Sequence, residues 1–247
     1  MEYRELSNGV RMPVIGYGVF QIPSDETERC VRDALEVGYR LIDTAQAYGN
    51  EAGVGKAIRE SGLDRGDMFV TSKVWVSNMN YERTKASIDA SLDAMGLDHI
   101  DLMLLHQAYG DYHGAWRALE EAYRDGKLRA IGVSNFYPVR LMDMCAFAEI
   151  PPMVNQVETH VFCQQIEAHE NMNRLGVVHE AWGPFAEGRN NVFANPVLEE
   201  IGRKYGKSTA QVMLRWLIDR GVVPLPKSTH RERMAENLDV FDFTLDD

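Results

Sequence analysis

Short apolar runs alternate with stretches of helical periodicity eight times along this chain, and few folds accept that rhythm. The runs are Val14–Val19, Tyr39–Thr44, Met68–Trp75, Ile100–His106, Ala130–Ser134, Met153–Val157, Val177–Trp182 and Val222–Leu225. Apolar runs this short and this continuous suit strands buried on both faces, as in a parallel sheet covered by helices. Segments such as Tyr81–Met95, Gly114–Arg124 and Val139–Phe147 are long enough to be the crossovers. Asp25-Glu26-Thr27-Glu28 reads as the start of the first helix, with Asp25 as N-cap and acids in the first turn. Two helical stretches, Pro196–Tyr205 and Thr209–Asp219, follow the seventh run, so one is an addition. The expectation is an α/β fold, a (β/α)8 TIM barrel, for which 247 residues is close to the roughly 250 typical length. Tyr3–Leu6, Asn8-Gly9 and Arg11-Met12 predict an N-terminal hairpin at one barrel end. Arg231–Asn237 serves as the eighth helix and Phe241–Asp247 as a short C-terminal stub, with no long tail after it. Without a Pro- or Ser-rich linker, residues 1–247 are expected to form one domain.

In such a barrel the C-terminal ends of the strands form the active-site rim. Four proton-handling residues lie at the ends of predicted strands or in the loops that follow. Leu41-Ile42 leads into Asp43 and on to Tyr48, Met68–Ser72 into Lys73, and Ile100–Leu105 into His106. Singly, each has an ordinary reading: a helix cap, amphipathic packing, a surface charge, a rim histidine. Together on one rim they suit proton transfer. A tyrosine holds its proton at neutral pH, and a neighbouring ammonium favours the phenolate. Asp43 can hold that ammonium, and His106 can hydrogen-bond a substrate oxygen or feed a proton through the tyrosine.

Net charge is −11, from 26 basic and 37 acidic residues, so the surface as a whole repels nucleic acid and anionic membrane. No apolar run approaches the ~18 residues of a membrane span, and Met1–Glu5 lacks the pattern of a signal peptide. Cys30, Cys145 and Cys163 fit neither a disulfide framework nor a zinc pattern, so no metal is expected and the compartment reads as cytoplasmic. Gly16-Tyr17-Gly18-Val19-Phe20-Gln21 lacks the third glycine of a dinucleotide fingerprint. Gly53-Val54-Gly55-Lys56-Ala57 misses the P-loop pattern and reads as helix packing. A better anion site is Lys227-Ser228-Thr229-His230-Arg231-Glu232-Arg233, basic residues that follow the last strand and open a helix.

Six motifs, Asp43–Glu51 (DTAQAYGNE), Ser72–Trp75 (SKVW), Leu104–His106 (LLH), Gly132–Phe136 (GVSNF), Asn155–Glu158 (NQVE) and Pro226–Ser228 (PKS), occur in the order found in aldo-keto reductases. The chain resembles that superfamily over nearly its whole length, and within it bacterial members similar to 2,5-diketo-gluconate and methylglyoxal reductases. The resemblance implies NADPH-dependent reduction of aldehyde or ketone carbonyls, with Tyr48 as general acid, Lys73 and Asp43 tuning it, and His106 orienting the carbonyl. Lys227, Ser228, Thr229 and Arg233 match positions that grip the 2′-phosphate of NADP, and Glu236 and Asn237 those that meet the adenine. Ser134, Asn135 and Gln156 match residues that hydrogen-bond the nicotinamide carboxamide. Trp182 falls where the family usually stacks a tyrosine on the nicotinamide ring; an indole can stack as well, and core packing is its plain alternative. Phe20, Trp75 and Tyr109 are expected at the mouth, an apolar wall around few polar groups. The chain departs from the family at Ala108 and Val161, each where proline is common, and in the missing tail, which in relatives closes over the substrate.

Two other readings stay open on sequence alone. Lys73 as a Schiff-base former would make the barrel a lyase or aldolase, although Asp43 and Tyr48 beside it argue for a charged ammonium. A cofactor-sensing regulatory subunit without significant turnover would keep the binding residues alone. The expected partner is a small carbonyl compound, and the expected state a monomer or weak homo-oligomer.

Overall fold

The computed structural model describes residues 1–246. The hairpin comes first: β1 (Tyr3–Glu5) pairs antiparallel with β2 (Arg11–Pro13), and Met12 is fully buried in the core. Eight strands then form one sheet in sequence order, every neighbouring pair parallel. They are β3 (Tyr17–Gly18), β4 (Leu41–Asp43), β5 (Phe69–Val74), β6 (Ile100–Leu105), β7 (Leu128–Ser134), β8 (Val154–Glu158), β9 (Val178–Trp182) and β10 (Val223–Pro224). Backbone bonds from Gly16 N to Pro224 O (3.0 Å) and Gly18 N to Pro226 O (3.1 Å) join the first of these to the last and close the barrel.

Strand burial explains why the apolar runs were so readable. Every residue of β4, β5 and β6 is buried, one side facing the barrel interior and the other the helices. The two strands at the seam are shorter than their runs predicted, two residues each in place of Val14–Val19 and Val222–Leu225. Pro224 and Pro226 carry no N–H to extend the ladder. Gly16 admits the close approach there, since a Cβ on it would lie 2.3 Å from Leu41 Cδ2 and 2.6 Å from Leu225 Cδ2.

Nine α-helices are present among the described residues: α1 (Ser24–Val37), α2 (Glu51–Glu60), α3 (Tyr81–Met95), α4 (Tyr112–Arg124), α5 (Pro138–Phe147), α6 (Ile166–Leu175), α7 (Pro196–Tyr205), α8 (Thr209–Asp219) and α9 (Arg231–Leu238). The pair α7 and α8 after β9 includes the expected addition. The cap of α1 differs from expectation: Pro23, with φ −56°, holds the N-cap position and makes no side-chain bond. Asp25 and Glu26 instead lie in the first turn, where they face the positive end of the helix dipole. α4 begins at Tyr112, two residues early, because Asp111 accepts from Gly114 N at 2.8 Å. The glycines of α2 do serve packing, since a Cβ at Gly55 would lie 2.0 Å from the carbonyl oxygen of Met95 at the end of α3. In the C-terminal stub Phe241 and Phe243 pack on the main core, while the last residue of the predicted stub, Asp247, lies outside the described residues. Among the described residues no helix is long and apolar enough to cross a membrane.

Candidate active site

β4 and β5 are neighbours in register, Asp43 opposite Thr71, which sets Asp43 and Lys73 on adjacent strand ends. The chain then turns through a short 3-10 segment, Gln46–Tyr48, that returns the phenol over them. Asn50 clamps this turn: its Oδ1 accepts from Thr44 Oγ1 (2.7 Å) and its Nδ2 donates to the carbonyls of Val19 (3.0 Å) and Ile22 (3.3 Å). Glu51 closes it from the other side, accepting from Ser72 Oγ at 2.5 Å. The Asp43–Glu51 motif is therefore a braced loop.

At its centre the Lys73 ammonium is fully buried and donates to Asp43 Oδ1 (2.6 Å), Thr44 O (3.0 Å) and Tyr48 Oη (3.2 Å). Burial alone would depress this ammonium, but the Asp43 charge and then Tyr48 hold it above its ordinary value. It is an ammonium at every physiological pH, which removes the free amine that a Schiff-base mechanism needs. The phenol of Tyr48 is shifted upward, because burial outweighs the lowering effect of Lys73. The sequence led us to expect the ammonium to dominate. What it leaves out is how thoroughly the barrel rim desolvates the ring.

His106 follows β6, with its ring edge-on to Tyr48 (5.7 Å between centroids) and to Trp75 (5.0 Å). Burial, then the Lys73 charge, lowers its pKa to about 3, so the ring is a neutral imidazole. That suits hydrogen bonding to a polar atom better than relaying protons as an imidazolium. Phe20 packs on Tyr48 at 4.9 Å, so Phe20 and Trp75 flank the phenol and imidazole as half-exposed walls. Tyr109 is not brought to them: it is 67 % exposed and makes no such ring contact.

The residues expected to meet a nicotinamide form one network along β7, β8 and β9. Ser134 Oγ donates to Gln156 O (2.9 Å), and Asn135 Nδ2 donates to His106 O and to Ser134 Oγ (both 3.1 Å). Trp182 Nε1 donates to Asn135 Oδ1 (2.9 Å), which fixes the edge of the indole. Gln156 Nε2 donates to Asp43 Oδ2 (2.9 Å) and to Glu180 Oε2 (2.7 Å). Glu180 was not identified from sequence; the only hint was a carboxylate, beside His179, inside the run Val177–Trp182.

Past β10 the chain borders a cavity of about 520 Å³ lined by Lys227, Ser228, Thr229, Arg233, Glu236 and Asn237. His230, part of the expected anion segment, lines it too, as do Phe185 and Phe193, which the sequence did not point to. The Ser228 hydroxyl accepts from His230 N at 3.1 Å, which shapes the entry to α9. Arg231 is engaged by Glu36 and Asp33. Among the described residues Lys227 and Arg233 have no carboxylate partner. Two unpaired cations, hydroxyls and a helix N-terminus around one cavity, in a protein of net charge −11, form a set of donors suited to a phosphate.

Residues 14–247 match the model of the aldo/keto reductase family. The chain belongs to that family. Glyoxal reductase of Bacillus subtilis (strain 168) is 47% identical over 243 residues, which cover 98% of this chain and 87% of the relative. An aldo-keto reductase from a Medee basin deep-sea metagenome superposes with a TM-score of 0.97 at 43% identity, covering 98% of this chain and 90% of that one. Bombyx mori aldo-keto reductase, solved in complex with NADP, superposes with a TM-score of 0.94 at 33% identity, covering 99% and 89%. As an aldo/keto reductase the protein is an NADP-dependent oxidoreductase that reduces carbonyl groups. A regulatory subunit without turnover finds no support in these matches.

Proposed function

We propose that the protein reduces small aldehydes and α-dicarbonyls of the glyoxal and methylglyoxal kind, with Tyr48 as the proton donor. One observation carries the assignment of the acid: a fully buried Lys73 ammonium lies 3.2 Å from Tyr48 Oη and 2.6 Å from Asp43 Oδ1. An oxyanion forming at the substrate carbonyl takes its proton from the phenol, and the phenolate left behind is stabilised by Lys73. Asp43 keeps the ammonium in place. The neutral His106 donates a hydrogen bond to the same carbonyl oxygen and so fixes its lone pairs toward Tyr48.

NADPH, when bound, supplies the hydride. Ser134, Asn135 and Gln156 are the residues that would hold its carboxamide, Trp182 its ring, Glu236 and Asn237 its adenine. The 2′-phosphate would rest on Lys227, Ser228, Thr229 and Arg233. Phe20 and Trp75 exclude water from one side of the reacting carbonyl, and Tyr109 would join the wall only by moving inward. The small-dicarbonyl reading is supported by the glyoxal reductase of B. subtilis and by the small number of polar groups at the mouth.

We further infer a single barrel domain over residues 1–247, a monomer or weak homo-oligomer in the cytoplasm, and no nucleic-acid partner. The sheet spanning Tyr17–Pro224, three unpaired cysteines and the net charge of −11 support this. The test is NADPH consumption over a panel of glyoxal, methylglyoxal, aromatic aldehydes and steroid ketones. Turnover is expected for the first three classes, and a panel in which only the steroid ketones react would refute the small-carbonyl assignment.

A further inference from the structure

Beneath the tetrad the barrel holds one more ionisable group. Glu180 lies in β9 opposite Gln156 of β8 and Val223 of β10, and it is fully buried. Its Oε2 accepts from Gln156 Nε2 at 2.7 Å, and that nitrogen gives its second hydrogen to Asp43 Oδ2 at 2.9 Å. A chain of contacts thus runs from Glu180 through one amide to Asp43, then to Lys73 and Tyr48. The other oxygen of Glu180, Oε1, is buried without a hydrogen-bond partner.

The charges in this chamber decide which state each group holds. Asp43 from β4 and Tyr48 from the turn after it face Glu180, as does Lys73 from β5; Gln156 is neutral and Val223 apolar. Next to Glu180 in the strand, His179 is engaged elsewhere, against Thr159 and His169. There is one cation for two carboxyl groups, and Asp43 is the one in contact with it. A second buried carboxylate would be unpaired, and an unpaired buried charge is expelled by taking up a proton. Burial first, then the Asp43 charge, pushes the Glu180 carboxyl up to about 8. At neutral pH it is a carboxylic acid.

We propose that Glu180 is a positioning residue for carbonyl reduction: it anchors the Gln156 amide and, through it, the Asp43–Lys73 pair under Tyr48. The proposal rests on the reading of Tyr48 as the acid. With one hydrogen accepted by Glu180 and the other by Asp43, the amide cannot turn away, and Asp43 is held at both oxygens. Removing the acceptor frees the amide and loosens the ammonium that makes the phenol a usable acid. Ionising Glu180 has a different effect. It adds a negative charge facing Tyr48, which makes the phenol harder to deprotonate. Reduction therefore slows as the pH passes the Glu180 value.

The experiment is kcat for NADPH-saturated reduction of an aldehyde between about pH 6 and about pH 10, with Glu180→Gln, Glu180→Leu and Tyr48→Phe beside the wild type. Glu180→Gln replaces a neutral acid with a neutral amide whose oxygen still accepts from Gln156. It should match wild-type kcat at the acidic end and move the alkaline decline upward by about one pH unit or more. Glu180→Leu should lower kcat about tenfold, the loss of one fixed hydrogen bond, while KM for the aldehyde and Kd for NADPH stay near wild type. A Glu180→Gln profile superimposable on the wild type overturns the proposal, as does wild-type kcat in a folded Glu180→Leu. If Glu180→Leu fails to fold, the Glu180→Gln profile decides alone. Retained turnover in Tyr48→Phe would remove the assigned acid itself. An inactive Tyr48→Phe beside silent Glu180 variants removes only the role of Glu180.

Discussion

Lys227 and Arg233 border the same cavity and, among the described residues, lack carboxylate partners, whereas Arg231, between them in sequence, is occupied by Glu36 and Asp33. This contrast makes cofactor choice testable with its own internal control. A charge-assisted bond to phosphate is worth about 1.5–3 kcal/mol. Both side chains are exposed, so the low end applies and salt screening trims it further. Replacing both by Gln should cost about 3 kcal/mol in NADPH binding, or roughly a hundredfold in Kd. NADH, which lacks the 2′-phosphate, should bind both proteins alike. Arg231→Gln should cost less than about threefold, since its charge is already engaged on the surface. Fluorescence titration of NADPH and NADH against wild type, the double variant and Arg231→Gln at one salt concentration gives all the constants. Equal wild-type affinities for the two cofactors, or an Arg231→Gln loss as large as that of the double variant, would refute the phosphate assignment.

Tyr48→Phe should lower kcat by about 10²–10⁴ with NADPH affinity nearly unchanged, read by steady-state kinetics and titration together; near wild-type kcat would mean another group donates the proton. Lys73→Met should be as damaging to kcat and should also cost about 3–5 kcal/mol of stability by leaving Asp43 buried and unpaired. Urea unfolding measures that cost, and an unchanged midpoint would contradict the ion pair. His179 is buried against Thr159 and His169, and burial first, then His169, lowers its pKa to about 3. Its folded value lies below the unfolded one, so its contribution is full above about pH 6.5 and is lost as pH falls toward about 3. The slope it adds is up to about 1.4 kcal/mol per pH unit, and His179→Gln should remove it from a pH series of urea titrations. Parallel stability curves for the two proteins would count against this.

The strands buried on both faces were legible because a parallel barrel demands short, largely apolar runs, and β4 through β9 supplied them around a few buried polar residues such as Lys73, Gln156 and Glu180. The seam strands were not. Their pairing depends on the missing Cβ of Gly16 and on carbonyls beside Pro224 and Pro226, which hydrophobic patterning cannot weigh. The tetrad was legible because its members end those runs in a motif order that a family shares. The network behind it was hidden for a different reason. A carboxylate in a strand, such as Glu180, ordinarily marks an outward-facing position, and only the register with Gln156 reveals that it faces inward. The direction of the Tyr48 shift was equally out of reach, because it depends on how much of the ring is desolvated.

The barrel seam also imposes an order of assembly. Each of the other strand pairs joins neighbours in sequence and closes a modest loop. The contact of β3 with Pro224 and Pro226 spans nearly the whole chain, and a loop that long is closed late because its entropy must be lost before its contacts form. Two backbone bonds and the Tyr17 hydroxyl, which donates to Ser228 O, fasten it. Lys227 and Ser228 lie immediately beyond that fastening, so a dinucleotide held there, as proposed above, would clasp the junction that closes last. Bound cofactor should then lengthen the lifetime of the native chain, because a transition state with the seam open loses the cofactor and the unfolding barrier rises by up to the whole of its binding free energy.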